Sequence, residues 1–271
     1  MNTLLLPELL KPVISARTNA HLLKEFVLRE VKGRFAGSMA GVFWTLINPL
    51  ATIAVYFFIF SIIFRIQVNA NETGTSSFVV FFLAGYFPWL LFSEALTRAT
   101  GILIENSSMI TKVVFPVELL PISAVLAVTM INGFGLVFYV VYLLIKGYAA
   151  ATWLLFGPLF AVQFLFTLGL AYFLAALCVF VRDVREILPI IIMIWFHGTP
   201  IIYPLSLVPE AARPILLWNP MAMFVLLYRD AFLLHELHWV WLLRVTLMAV
   251  ASYLIGTWFF MRARPAFGDV L

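Results

Sequence analysis

The sequence predicts an all-α integral membrane protein with six transmembrane helices, and three observations carry that expectation. Of 271 residues, 64% are hydrophobic and only 11% charged, against roughly a quarter charged in soluble domains. The stretches 41–64, 119–145 and 147–181 contain no Asp, Glu, Lys or Arg, and a spanning helix needs about 20 mostly apolar residues. The basic residues are also divided unequally between the two sides of the layout that follows, which sets orientation.

Spans are expected at 41–64, 78–97, 117–145, 150–181, 187–207 and 240–261. The third and fourth are long enough to tilt or to project from the bilayer. With the amino terminus cytoplasmic, that side holds Lys11, Arg17, Lys24, Arg29, Lys32, Arg34, Arg98, Lys112, Arg182, Arg185, Arg262 and Arg264. The other side holds Arg65, Lys146, Arg213, Arg229 and Arg244. Twelve against five is a positive-inside bias that places both termini in the cytoplasm. The chain divides into a cytoplasmic segment 1–40, one transmembrane domain 41–264 and a tail 265–271.

Residues 1–15 hold an apolar cluster broken by Pro7, Glu8, Lys11 and Pro12, without the basic start or small-residue site of a cleaved signal peptide. Next, Leu22, Leu23, Phe26 and Val27 share a helical face apart from Lys24, Glu25, Arg29 and Lys32. That pattern predicts an amphipathic helix lying in the membrane surface; the competing reading is a helix packed on protein. Glu30 intrudes on the stripe. Between the fifth and sixth spans, Pro200, Pro204, Pro209, Pro214 and Pro220 interrupt apolar sequence. Because lipid does not tolerate unpaired backbone, this segment is expected to form broken, re-entrant helices against protein, as a gate or as an extracytoplasmic loop. The single Cys178 excludes an intrachain disulfide.

Chemistry is sparse. No Gly is followed by Lys, so there is no phosphate-binding loop and ATP would have to act through a partner. Serine-nucleophile, zinc-protease and Cys-x-x-Cys patterns are absent. Asp230, His235, Glu236 and His238 form the most enzyme-like cluster, with a spacing that could bring both histidines onto one helix turn. His197, in the middle of the expected fifth helix, could touch a polar substrate or relay protons, or be hydrogen-bonded structurally. Glu94 and Arg98 have the spacing of a helical ion pair. Among 27 Phe, 9 Tyr and 8 Trp, most rings pack or face lipid. Trp44, Tyr56, Trp89, Trp195 and Tyr203 are candidates to line a sugar pathway, together with His197. Sugar C–H faces stack on rings without fixed hydrogen bonds.

The stretch from Arg34 to Pro49, Arg-Phe-Ala-Gly-Ser-Met-Ala-Gly-Val-Phe-Trp-Thr-Leu-Ile-Asn-Pro, resembles the start of the first span in ABC-2 transporter permeases, especially the polysaccharide-export branch. Further resemblances follow in order: Phe115-Pro116-Val117-Glu118, Arg182-Asp183-Val184, Thr199-Pro200-Ile201-Ile202-Tyr203-Pro204, and Asn219-Pro220 with Arg229. Thr199 stands where that family often has Ser.

The resemblance implies a homodimeric permease with two separate ATPase subunits in a bacterial cytoplasmic (inner) membrane. Its substrate would be a polyprenyl-diphosphate-linked polysaccharide such as lipopolysaccharide O antigen; capsule and teichoic acid exporters look similar. It implies no cofactor in this chain, ATP and Mg being bound by the partner, and no nucleic-acid partner. The segment 98–115, with Arg98, Glu105, Asn106, Met109 and Lys112, would contain the coupling helix that docks on the ATPase. The amphipathic helix would border substrate access, and 203–234 would form outer gate helices. Arg29, Lys32 and Arg34 could attract a lipid diphosphate or anionic membrane lipids. Two other functions compete: a membrane enzyme using the Asp230, His235, Glu236 and His238 cluster, and a proton-coupled carrier built on His197.

Overall fold

The computed structural model describes residues 5–35, 41–63, 68–236 and 238–271. Helices α1 (Leu5–Thr18) and α2 (Ala20–Phe35) follow one another with Asn19 alone between them, so the proline-broken start is helical, with Pro12 inside α1. On α2 the apolar stripe is covered by protein. Phe26 and Val27 are buried, Leu22 and Leu23 pack against the core, and Phe26 meets Phe115 edge-on at 5.7 Å. The apolar stripe of α2 is thus packed on protein, as the competing reading expects.

A tight turn, Gly41–Phe43, leads into α3 (Trp44–Phe57), which continues as a widened turn over Phe58–Ile63, within the expected first span. The short α4 (Ala70–Thr73) is capped by Asn69, whose side chain accepts from Asn71 N–H, and is closed by Gly74 at φ 72°. Helix α5 (Phe78–Glu105) has 28 residues, a length of about 42 Å at the usual rise. It outruns its expected end at 97 because Leu96, Ala99, Ile102 and Leu103 continue a fully buried stripe. Pro88 lies inside it, and the Pro88 carbonyl accepts from Gln163 Nε2 at 2.7 Å.

Helix α6 (Ser107–Lys112) follows, then α7 (Leu119–Ile145) and α8 (Phe156–Phe180), the last preceded by a turn over Ala151–Leu155. Helix α9 (Val184–His197) has 14 residues and stops ten short of the expected boundary at 207. Gly198 and Pro200 end it. His197 is thus the last residue of α9, not its midpoint. A turn over Leu205–Leu207, α10 (Arg213–Leu216), α11 (Pro220–Arg229) and a widened turn over Asp230–Leu234 form the broken segment. The chain closes with α12 (Trp239–Ala263), a turn over Arg264–Ala266 and α13 (Phe267–Val270). No strand occurs among the described residues.

The core is built around α5, against α7, α8 and α11, with α8 and α12 in extensive contact beside it. Those two approach closely because Gly169 faces Gly256: a Cβ on either would overlap the other helix's backbone. Outward faces are apolar, including Trp239, Leu243, Leu247 and Ile255 of α12. Four helical stretches among the described residues, Ala70–Glu105, Leu119–Ile145, Ala151–Phe180 and Trp239–Val270, are long and apolar enough to cross a bilayer. The chain is an all-helical integral membrane protein.

Candidate substrate cavity

Helices α2, α3, α5, α7 and α9 enclose a half-open cavity of about 1150 Å³. Its walls differ along their length. At one end stand Tyr56, Tyr86, Trp89 and Phe196, in contact through Tyr56 and Phe196 at 5.6 Å and Trp89 and Phe196 at 5.6 Å. Phe82 stacks behind them on Tyr86 at 5.0 Å. Rings on successive turns of α5, at positions 78, 82, 86 and 89, produce this column because residues three or four apart share a helix face.

At the other end the lining carries four arginines, Arg29, Arg34, Arg98 and Arg185, with four glutamates, Glu30, Glu94, Glu105 and Glu186. Arg34 pairs with Glu94 at 2.9 Å, and Glu94 also accepts from Asn132 Nδ2 at 2.9 Å. Arg98 donates to Glu30 and to Glu105, both at 2.6 Å. Glu105 receives a second guanidinium, from Arg185, at 2.9 Å. Arg29 donates to Asn106 Oδ1 at 2.7 Å. The expected pair of Glu94 with Arg98 is therefore replaced by pairs reaching to α2 and to the end of α5. Glu94 finds its partner across the helix packing, on α2, whereas Arg98 divides its guanidinium between Glu30 on α2 and Glu105 two turns further along α5.

Several expected site residues meet here: Tyr56, Trp89, His197, Arg29 and Arg34, and also Arg98 and Glu105. The last two line the cavity as well as standing beside α6. Asn106 closes α5, its Nδ2 donating to Ile102 carbonyl at 2.8 Å. Met109 lies against the core, whereas Lys112 is exposed, followed by exposed Val113 and Val114. Lys32 lies outside the cavity, in a shallow groove along α2 with Glu25 and Leu28. Trp44 is exposed on α3. Trp195 is committed to Asn219, and the Tyr203 hydroxyl donates to the His197 carbonyl at 3.1 Å. Sequence reasoning missed Glu30, Glu94 and Arg185 as lining residues. The signal for Glu30 was its intrusion on an apolar stripe, which a buried ion pair explains: its side chain is 8% exposed.

At the end of α5 away from α6, buried Arg229 holds the turn after α9. Its guanidinium donates to the carbonyls of Pro200 at 2.5 Å, Ile201 at 2.7 Å and Phe81 at 3.3 Å, and it lies over the Phe81 ring at 3.6 Å. Asn219 caps α11 and ties it to the same turn. The Asp230, His235, Glu236 and His238 cluster does not assemble as expected. His235 adopts φ 59° and approaches Thr152 at 3.4 Å, so the two histidines share no helix turn. Asp230 meets His238 Nδ1 at 2.8 Å, while Glu236 is 3.9 Å from its Nε2. Burial pushes the Asp230 carboxyl up to about 6 against the opposing pull of His238. No metal-holding group of three or more His, Cys, Asp or Glu occurs among the described residues.

A cavity with rings at one end and ion pairs at the other suits a ligand with a body that can stack and an anionic group. The family model for "ABC-2 type transporter" matches residues 21–233. The chain is 29% identical, over 92% of its length and 95% of the relative's, to an O-antigen export system permease protein RfbA of Klebsiella pneumoniae. A protein of the same name from Myxococcus xanthus is 34% identical over 80% of this chain and 82% of its own length. The polysialic acid transport protein KpsM of Escherichia coli is 24% identical over 75% and 78%.

Proposed function

Because the chain belongs to the ABC-2 type transporter family, we propose that it is the membrane-spanning permease of an exporter for a polyprenyl-diphosphate-linked polysaccharide, O antigen foremost. The names of the more similar relatives support that substrate class. In this reading α3 and α9 complete six spans, both termini lie in the cytoplasm, and ATP is hydrolysed by two separate subunits docked near α6.

The observation that carries the reading is the half-open cavity. One chain leaves it unsealed, and the neighbouring faces of α3 (Trp44, Ile47, Leu50) and α9 (Ile190, Met193, Ile194) are apolar and exposed. A second copy across that opening would turn two half-cavities into one conduit. The rings would offer sliding contacts to sugars, while the arginines at the α6 end would face the diphosphate on the cytoplasmic side. Capsular polysaccharide is the second reading, favoured by the likeness to KpsM.

Deleting the gene tests this directly. Surface polysaccharide should disappear while lipid-linked glycan accumulates inside the membrane, and Trp89→Ala should restore export only partly. Undiminished surface polysaccharide in the deletion strain would overturn the assignment, and loss of capsule with intact O antigen would select the second reading.

A further inference from the structure

Glu105 occupies an unusual position for a carboxylate. It is the last residue of α5, where the helix dipole is negative and an acidic group is disfavoured. Two guanidiniums offset that: Arg98 reaches Oε2 at 2.6 Å and Arg185 reaches Oε1 at 2.9 Å. The next residue, Asn106, ends α5, precedes α6 and accepts from Arg29 of α2. Arg98 is shared with Glu30 of α2 at 2.6 Å. Glu105 therefore joins α5, α9 and, through Arg98, α2 at the base of α6, with all its partners on the cavity wall.

We propose that Glu105 is an exchangeable counter-ion that reports ligand occupancy: a diphosphate in the cavity takes Arg98 and Arg185 from it, and the released carboxylate shifts the α5–α6 junction. This deepens the transporter reading and rests on it. Exchange is balanced because half-exposed carboxylate pairs are weak, while a diphosphate offers guanidinium more charge and the same two-pronged geometry. The stripped carboxylate then sits uncompensated at a negative helix end. Movement of the junction relieves that repulsion and carries α6, the segment nearest the proposed ATPase, with it. Glu105 is a positioning residue here, and the arginines are the ligand contacts.

The test uses the permease in lipid nanodiscs with its ATPase subunits, spin-labelled on α6 through Ser108→Cys; Cys178 is buried and does not compete for label. The probes are polyprenyl diphosphate, inorganic pyrophosphate and polyprenol. Diphosphate should mobilise the α6 label and raise ATP hydrolysis about threefold, and polyprenol should do neither. Glu105→Gln, with no charge to release, should keep the α6 label at the ligand-free wild-type mobility with or without diphosphate, and should bind diphosphate about threefold tighter, having lost the competitor. Arg185→Gln, on an exposed side chain, should bind about tenfold more weakly. A response to pyrophosphate would mean that the headgroup suffices, and a response to the lipid form alone that the polyprenyl chain seats it; either supports the exchange. Wild-type affinity together with a wild-type mobilisation of the label by diphosphate in Glu105→Gln, or an equal effect of polyprenol, would overturn it. Ligand-stimulated hydrolysis with a Glu105→Gln label that diphosphate mobilises as in the wild type sinks this inference alone. A ligand-responsive label without hydrolysis by any subunit sinks the transporter reading and leaves the exchange standing.

Discussion

Trp195 donates its indole N–H to Oδ1 of Asn219 at 2.7 Å, and that oxygen also accepts the Met221 backbone N–H at 3.0 Å. The Asn219 amide nitrogen donates to Gly198 carbonyl at 3.2 Å and to Thr199 Oγ1 at 3.0 Å. One side chain thus caps α11 and ties it to the end of α9. Asn219→Ala removes the cap and all cross-connections, and should cost about 2 kcal/mol. Trp195→Phe removes one bond and keeps the ring contacts with Trp89 and Phe92, so it should cost roughly 1 kcal/mol or less. Thermal unfolding of the two variants in detergent checks the order.

Arg229 is held by geometry as well as charge. Its three donors reach three carbonyls, and Gly85 leaves room for it, since a Cβ there would meet Arg229 Nη2 at 3.0 Å and Val225 Cγ1 at 2.8 Å. Lys keeps the charge and loses the planar fork. Arg229→Lys should therefore destabilise by about 2–3 kcal/mol, and Gly85→Ala should lower the unfolding temperature although Ala favours helix. An unchanged midpoint in both would show that the clasp is loose.

Legibility from sequence followed charge. The termini of α7 and α8 were readable because uncharged residues run nearly their whole length. The last eight residues of α5 were not, because Arg98 and Glu105 look like loop residues until Glu30 and Arg185 are seen to neutralise them. The early end of α9 was written in Gly198 and Pro200, but the apolar residues beyond them mimic a continuing span. Partners such as Arg34 and Glu94, sixty positions apart, leave no trace in spacing; the ring column of α5 does, as a repeat of three- and four-residue steps. The motifs Thr199–Pro204, Asn219-Pro220 and Arg229 lie apart in the sequence, and only the fold shows that they form one clasp.

Glu118 and Arg264 make a second test. The Glu118 side chain is 2% exposed and lies 3.3 Å from Arg264, itself 28% exposed. It begins α7, and the Arg follows α12, so the pair fastens the two helices together. Removing the cation leaves a buried charge, whereas neutralising the acid leaves an exposed cation that water can solvate. Arg264→Ala should cost about 2–3 kcal/mol and Glu118→Gln clearly less, a difference readable in expression level and unfolding temperature.

Gly256 tests helix contact. Because a Cβ at this position would overlap the Gly169 carbonyl, Gly256→Ala must push α12 off α8 despite better helix propensity. It also strains the bond from Ser252 Oγ to Phe166 carbonyl, 2.9 Å long. Loss of folded protein from membranes is expected, larger than for Gly157→Ala, where a Cβ meets nothing within 4 Å.

The pH dependence of stability should report on Asp230. Burial raises its carboxyl to about 6 in the folded chain from an ordinary 3.8. Between those values the folded state holds a proton that the unfolded state has lost, so this group's contribution is complete below about pH 4 and declines as pH rises through about 6. The decline amounts to roughly 3 kcal/mol at most. Asp230→Asn cannot titrate. Its unfolding temperature, followed from pH 4 to pH 7, should lack the downward component that the parent chain shows. Parallel profiles for the two proteins would mean that the buried carboxyl titrates alike in both states.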